Sequence, residues 1–394
     1  MKNFIGLIDT MYEIPLSVPS LKGNELKYVE ECINDEWVST AGSYVRKFEE
    51  KISDYTESKY AVACTNGTSA LHISLKLAGV VSEDEVIVPT LTFIAPINAV
   101  MYCSAIPIFM DADKFHNIDI EKTIDFITTE TFFRNGYTYN KKTKKRVSAI
   151  IPVHVWGNAS YLDELIGICE ERNIVVIEDA SESLGTTYTK GNFANKHTGT
   201  IGRLGCLSFN GNKIITCGGG GIILTSDEEH AERAVYYTTQ AKDDPVRYIH
   251  NNVGYNYRLT NIQAALGVAQ LESLPSYLNK KKIINDYYRS AINDLEHFSF
   301  LESPDYSDNN LWLNILEISD DCRLNVDSLI NIFEKNKIQT RPVWTLNHMQ
   351  KPFRDFQNHR IENAYKIVEK SLCMPSSVNL KTSHIDKIVS VLSE

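Results

Sequence analysis

Gly205-Cys-Leu-Ser-Phe-Asn-Gly-Asn-Lys-Ile-Ile-Thr-Cys-Gly-Gly-Gly-Gly221 is the stretch on which the reading of this chain turns. An apolar run containing Ser208 leads into a turn at Asn210, Gly211 and Asn212, and Lys213 stands just beyond it. Four glycines, Gly218 to Gly221, then precede a second apolar run, Ile222-Ile223-Leu224. Glycine lets a backbone adopt unusual dihedrals and approach a ligand closely. A lysine held in such a cleft can shed its proton and attack an aldehyde carbon. A solvated hairpin lysine would carry the same local pattern, so the rest of the chain decides between the two.

Outward from this stretch, residues 50 to 225 alternate short apolar runs with helical periods, the pattern of an α/β domain with a mostly parallel sheet. The expected strands are Tyr60–Cys64, Glu85–Val88, Ile106–Met110, Ala149–Val153, Ile174–Ile177, Cys206–Phe209 and Gly221–Thr225. Helical periods fall on Ser69–Ala78, Ile94–Ser104 and Leu162–Arg172; the first puts Leu71, Leu75 and Ala78 on one face. The basic run Asn140 to Arg146 reads as a solvated turn between strands. From Leu259 the periods turn helical (Asn261–Leu274, Tyr277–Leu295), which predicts a long helix leaving the large domain. The remainder mixes strands such as Leu311–Ile318 with helices such as Val326–Asn336, as a smaller α+β domain would. The expected division is 1–258 and 259–394.

The 394 residues, 43% hydrophobic and 23% charged, suit a soluble protein with a substantial core. A formal net charge of −10 argues against nucleic acid or an acidic membrane surface as a broad partner. The eight cysteines are scattered, with no Cys-x-x-Cys pair and no Cys/His cluster at metal spacing, so no metal site is expected. Asp9 and Glu13 interrupt the apolar character of the N-terminus, which does not read as a signal peptide. The longest apolar stretch, Val86 to Val100, contains Pro89 and Pro96 and does not read as a membrane span. A cytoplasmic address is the simplest expectation.

Four features could serve a phosphate-bearing aldehyde near Lys213. Cys64-Thr-Asn-Gly-Thr-Ser-Ala70 reads as strand, glycine turn and helix start, where free amides and the Thr68 and Ser69 hydroxyls could cradle phosphate. A plain helix cap would look similar. The strand Ile174-Val-Val-Ile-Glu-Asp179 ends in acids, and ligands of open α/β sheets gather at such strand ends. Asp179 could therefore face a pyridinium nitrogen, or simply cap the helix that follows. Ser208 could reach the same phosphate or bond nearby backbone. Phe93, in Pro89-Thr-Leu-Thr-Phe93, could stack on a flat ring or belong to the core.

Together these residues resemble pyridoxal-phosphate (PLP) enzymes of fold type I, and more narrowly the DegT/DnrJ/StrS family of sugar aminotransferases. The resemblance extends through Pro15-Leu-Ser-Val-Pro19, Trp37-Val-Ser-Thr-Ala-Gly42, Thr65-Asn-Gly-Thr68, Val88-Pro-Thr90, Ile108-Phe-Met-Asp111, Glu178-Asp-Ala180 and Gly254-Tyr-Asn-Tyr-Arg-Leu259. It implies a mostly parallel seven-stranded sheet flanked by helices, with the smaller α+β domain behind it. By the same resemblance Lys213 bonds the cofactor aldehyde and Asp179 pairs with its ring nitrogen. Gly67, Thr68, Ser69 and Ser208 would hold the phosphate, and Phe93 would stack on the ring. Asn256 corresponds to an asparagine that reaches the phosphate of a neighbouring subunit, which implies a homodimer with shared sites. Many members carry glutamine three residues after the aspartate, where this chain has Glu182; a carboxylate there would bond the ring hydroxyl only in a suitable protonation state.

Two stretches are similar to the branch serving legionaminic-acid and bacillosamine pathways: the Phe132–Val147 insertion leading into Ile151-Pro-Val-His-Val-Trp-Gly157, and Thr340-Arg-Pro-Val-Trp-Thr-Leu-Asn-His-Met-Gln350. In the second, Arg341, Trp344 and His348 would suit a sugar nucleotide. The implied reaction moves an amino group, with L-glutamate as donor, onto the C4 ketone of a nucleotide-linked 4-keto-6-deoxy sugar of the UDP-2-acetamido kind. A cofactor-dependent sugar dehydratase on the same fold would replace Lys213 with histidine. A non-catalytic sugar-nucleotide-binding protein would not need Lys213, Asp179 and Asn256 together. No Gly-x-Gly-x-x-Gly follows the first strand, against a nicotinamide enzyme.

Overall fold

Apolar runs with few polar breaks, such as Val175-Val-Ile-Glu-Asp179, are stable as strands where both faces of a sheet are covered, and they lie in such a sheet here. A computed structural model of the chain describes residues 12–393. Its large sheet has eight strands: β1 Tyr60–Cys64, β2 Glu85–Pro89, β3 Ile106–Met110, β4 Val147–Ile150, β5 Val175–Asp179, β6 Leu204–Ser208, β7 Gly221–Thr225 and β8 Asn358–His359. In space they run β1-β7-β6-β5-β4-β2-β3-β8. The pairs from β6 to β8 are parallel, whereas β7 runs antiparallel to β1 and β6.

The seven expected strands are all present, and the sheet gains an eighth. Strand β8 has two residues and no apolar pattern, so nothing local announces it. Tertiary bonds hold it in place. Phe109 donates its amide to Gln357 at 2.9 Å, and buried Asp111 accepts the amides of Glu362, Asn363 and Ala364.

Helix α1 (Gly67–Leu77) buries Leu71 and Leu75 on one face of the sheet, against Val62, Val88, Ile177 and Ile223. On the other face Leu207, Phe209, Ile222 and Leu224 meet Phe48, Leu259 and Val268. Further along that face Ile87, Ile150 and Val176 meet Phe126 and Leu165.

The two expected helical segments after Leu259 are one 31-residue helix, α2 (Asn261–Ala291), that runs through Pro275. Proline removes a backbone donor and normally kinks or ends a helix. Here Val268, Leu271, Leu274 and Tyr277 bury the helix on both sides of it, and packing overrides the local cost. The smaller sheet joins Phe298–Phe300, Asn314–Ile318, Ser371–Met374 and Arg341–Pro342, all antiparallel. Its core includes Leu316, Leu329, Phe333, Ile385 and also Ile14, which bridges Ile338. The basic run after Asn140 turns between strands, with Lys145 and Arg146 paired to Glu83 and Asp84. No helix of the described residues is long and apolar enough to cross a membrane.

Candidate active site

The carboxyl ends of β1, β2, β5 and β6 surround a cleft of about 300 Å3 lined by Gly67, Thr68, Phe93, Asp179, Glu182, Ser208, Lys213 and Trp344. Each of these was singled out from the sequence. Asn66, Thr92, Ser181, Asn210, Asn212 and Trp312 also line it.

Lys213 follows a tight turn in which its amide donates to the Asn210 carbonyl at 3.1 Å. Its ammonium lies 3.5 Å from Glu182 Oε1 and 4.3 Å from the centre of the Trp312 ring. Trp312 in turn donates its indole N–H to the Asn212 carbonyl at 2.7 Å, which ties the ring to the lysine's own turn. Of the four glycines beyond Lys213, Gly218 is needed for its backbone angle and Gly221 for a close contact within the chain. Gly218 takes φ +75°, and a Cβ on Gly221 would stand 2.4 Å from the Asn66 carbonyl carbon. That contact presses the start of β7 against the turn that opens α1.

At that turn Asn66 caps α1, accepting the Ser69 amide at 2.8 Å. Gly67 and Thr68 are the first two helical residues, whose amides have no intrahelical acceptor. The helix dipole adds partial positive charge at the same place. A Cβ on Gly67 would meet the Ser208 Cβ at 2.9 Å, so only glycine lets β6 come this close. Ser69 is spent on the cap and on its hydroxyl contact with Thr65 at 3.2 Å, and it does not line the cleft.

Asp179, at the end of β5, is buried, and Oδ1 accepts the Ser181 amide at 3.0 Å. Burial pushes its carboxyl up, against the hydrogen bonds from Ser181 and the charge of Lys213. Glu182 is buried as well; burial pushes its carboxyl up to about 7, against the attraction of Lys213. Its second oxygen accepts the Trp156 amide at 2.9 Å. Trp156 holds φ +61°, a left-handed conformation that costs a bulky residue about 1–3 kcal/mol. The strain is held by the ring, stacked on Trp344 at 3.9 Å and near Trp312 at 6.1 Å, and by its indole N–H donated to His116 at 3.1 Å.

Phe93 is 55% exposed on the cleft wall, 6.4 Å from Trp344. The structure separates the three residues expected to meet a sugar nucleotide. Trp344 lines the cleft; Arg341 and His348 do not. Arg341 is exposed on an edge strand paired with Cys373. His348 is buried, with Nδ1 2.6 Å from the Thr90 hydroxyl and Nε2 2.8 Å from the Tyr365 hydroxyl, so both ring nitrogens are engaged away from the cleft. Asn256 is exposed, bridges Thr239 through its backbone and does not line this cleft. Trp312 carries no motif that a sequence reading could use; Trp156 and Asn66 lie in stretches that the family resemblance covers, but nothing local marks either as belonging to the site.

A model described as the DegT/DnrJ/EryC1/StrS aminotransferase family matches residues 19–393. The chain is 35% identical to a GDP-perosamine synthase of Escherichia coli O157:H7, covering 98% of this chain and 99% of that protein. It is 34% identical to the Bacillus subtilis protein EpsN, whose name provisionally assigns it as a pyridoxal phosphate-dependent aminotransferase, over 96% of this chain and 95% of that one. The fold is similar to the crystal structure of a DegT DnrJ EryC1 StrS aminotransferase from Brucella abortus, with TM-score 0.84, 24% identity and 94% of each chain covered.

Proposed function

This chain belongs to the DegT/DnrJ/EryC1/StrS aminotransferase family and is a PLP-dependent sugar aminotransferase; on that premise we propose that it aminates the C4 ketone of a nucleotide-linked 4-keto-6-deoxy sugar. The expected amino donor is L-glutamate. The observation that carries this reading is the union of Lys213, Asp179 and an α-helical N-terminus in one cleft walled by Phe93 and Trp344.

The residues fit the cofactor. When bound, pyridoxal 5′-phosphate supplies an aldehyde carbon and a protonated ring that draws electrons from a substrate carbon. The amides of Gly67 and Thr68 and the Ser208 hydroxyl would donate to its phosphate, and the missing Cβ at Gly67 keeps them together. Asp179 is the carboxylate that would hold a proton on the ring nitrogen. Lys213 is the group that would move a proton at the substrate carbon, as a general acid and base. Phe93 would stack on the cofactor ring, and Trp344 would offer an aromatic face to the sugar.

Asn256 is proposed to serve the site of a second copy in a homodimer, which suits its exposure and its distance from its own cleft. A cytoplasmic enzyme acting on small metabolites is part of the same reading, and so is the division of the chain near residue 258. The stretches Phe132–Val147 and Thr340–Gln350 favour a UDP-2-acetamido sugar. The name GDP-perosamine synthase, borne by a relative at 35% identity, favours a GDP-linked sugar as a second reading. Incubation with glutamate and a panel of UDP-, GDP- and dTDP-linked 4-keto-6-deoxy sugars, with products identified by mass and NMR, decides between them. No amino sugar from any member of the panel would overturn both. Retention of Lys213 favours transamination over dehydration.

A further inference from the structure

Two buried carboxylates, Asp179 and Glu182, share the cleft with the single ammonium of Lys213. Asp179 is committed at Oδ1 to the Ser181 amide. Glu182 is differently placed. Its Oε2 is pinned by the Trp156 amide at 2.9 Å, and its Oε1 is directed at Lys213 Nζ, 3.5 Å away, with no other hydrogen bond among the described residues. The pin is itself braced: Trp156 sits at φ +61°, with its ring stacked on Trp344 at 3.9 Å and 6.1 Å from Trp312. A backbone held in the left-handed region to present one amide to one carboxylate fixes where that carboxylate points. A glutamine side chain in place of Glu182 could accept the same amide proton, but it could not take a proton from an amine.

We propose that Glu182 is the proton partner of Lys213, taking the ammonium proton when the amine must act as nucleophile and returning it when the amine is released. In the forward step the Nζ–H bond breaks and an Oε1–H bond forms. The nitrogen keeps the electron pair with which it attacks an aldehyde carbon, and nothing is oxidised or reduced. The charged and titratable groups facing Glu182 are Lys213, Asp179 and the Cys373 thiol. Burial and Glu182 itself push that thiol up, so it stays protonated and adds no charge. Burial holds the Glu182 carboxyl up to about 7, where it can change state near neutral pH; a general acid–base group works best with such a match.

The inference rests on Lys213 as the reacting amine. It is tested on the full-length apoprotein by mixing with pyridoxal 5′-phosphate from pH 5.5 to 9 (about the span over which such a carboxyl titrates). The rate of covalent attachment is read by absorbance, and the attached peptide is identified after borohydride. The wild-type rate should rise through an inflection near pH 7. In Glu182→Gln the inflection should vanish and the rate at pH 8 should fall about 10²-fold, the lower end of the usual range for a lost acid–base group. Glu182→Asp, which keeps the carboxyl at shorter reach, should restore the inflection in part. A carboxylate acting only as a counter-charge gives the opposite result: its loss leaves more free amine, and attachment proceeds at the wild-type rate or faster. That outcome, or an inflection that survives in Glu182→Gln, overturns the proposal while leaving Lys213 in place. Attachment to a different lysine overturns the assignment of Lys213, and this proposal with it.

Discussion

At the scale of single residues, the proposed transamination rests first on Lys213 and Asp179, whose surroundings differ. Lys213 lies between a carboxylate and an indole face, so its amine is held in one direction by charge and in another by a ring. Borohydride treatment of the loaded enzyme should attach the cofactor to the peptide containing Lys213, and Lys213→Ala should abolish that label while turnover falls by about 10²-fold or more. Peptide mapping checks the first outcome and steady-state kinetics the second. Asp179 was legible as an acid at a strand end. Its burial, which makes an unpaired carboxylate costly and favours a cationic partner, was not. Asp179→Asn removes that charge without changing shape. It should lower turnover by about 10²-fold, a typical loss for a missing electrostatic contact in a site, with thermal stability near that of the wild type.

At the scale of elements, α1 begins where its cap, its glycine and the neighbouring strand meet. Asn66→Ala removes the acceptor for the Ser69 amide and should cost about 0.5–2 kcal/mol of stability, measured by denaturant unfolding. Gly67→Ala places a methyl against Ser208 and should both destabilise by about 1–3 kcal/mol and weaken cofactor binding. The segment Thr340–Gln350 does two jobs that its sequence does not separate. Trp344→Ala should impair the sugar half-reaction and spare the half-reaction with the amino donor. His348→Ala removes the ring that joins buried Thr90 to Tyr365 and should instead lower stability and both half-reactions together. Single-turnover absorbance changes with each substrate distinguish the two patterns.

At the scale of the whole molecule, one buried ammonium ties the long helix to the segments that flank the smaller sheet. Lys281, buried inside α2, donates to the main-chain carbonyls of Trp312 and Ser376, so a single ammonium links the long helix to the residue that covers Lys213. Burial lowers its pKa from 10.5 to about 7. Between those values the unfolded chain binds the proton more tightly than the folded one, so this residue's contribution to stability rises with pH across that window. The stability of wild type relative to Lys281→Met, measured by denaturant unfolding from pH 7 to 9.5, should therefore increase with pH. The slope should be no more than about 1.4 kcal/mol per pH unit. The proposed homodimer has its own test. Lys213→Ala and Asn256→Asp proteins should each be inactive, and mixing them under subunit exchange should restore one intact site per mixed dimer. Absence of rescue after proven exchange would place Asn256 outside the partner's site.

Sequence alone determines what neighbouring residues impose on one another. The runs that became β1 to β7, the turn before Lys213, the cap of α1 and the acid ending β5 all follow from local pattern, because strand, turn and cap preferences act over a few residues. Lys213, Asp179, Ser208, Gly67 and Thr68 could therefore be named and placed at strand ends. Tertiary structure alone decided the rest. Strand β8 exists because Asp111 gathers the amides that follow it. Gly221 serves a close backbone approach to Asn66, and no local pattern says which backbone will approach. The wall of Trp156, Trp312 and Trp344, and the carboxylate of Glu182 aimed at Lys213, join residues far apart in the chain. Such contacts depend on how whole layers pack, and a side chain's local sequence carries no record of the surface it will meet.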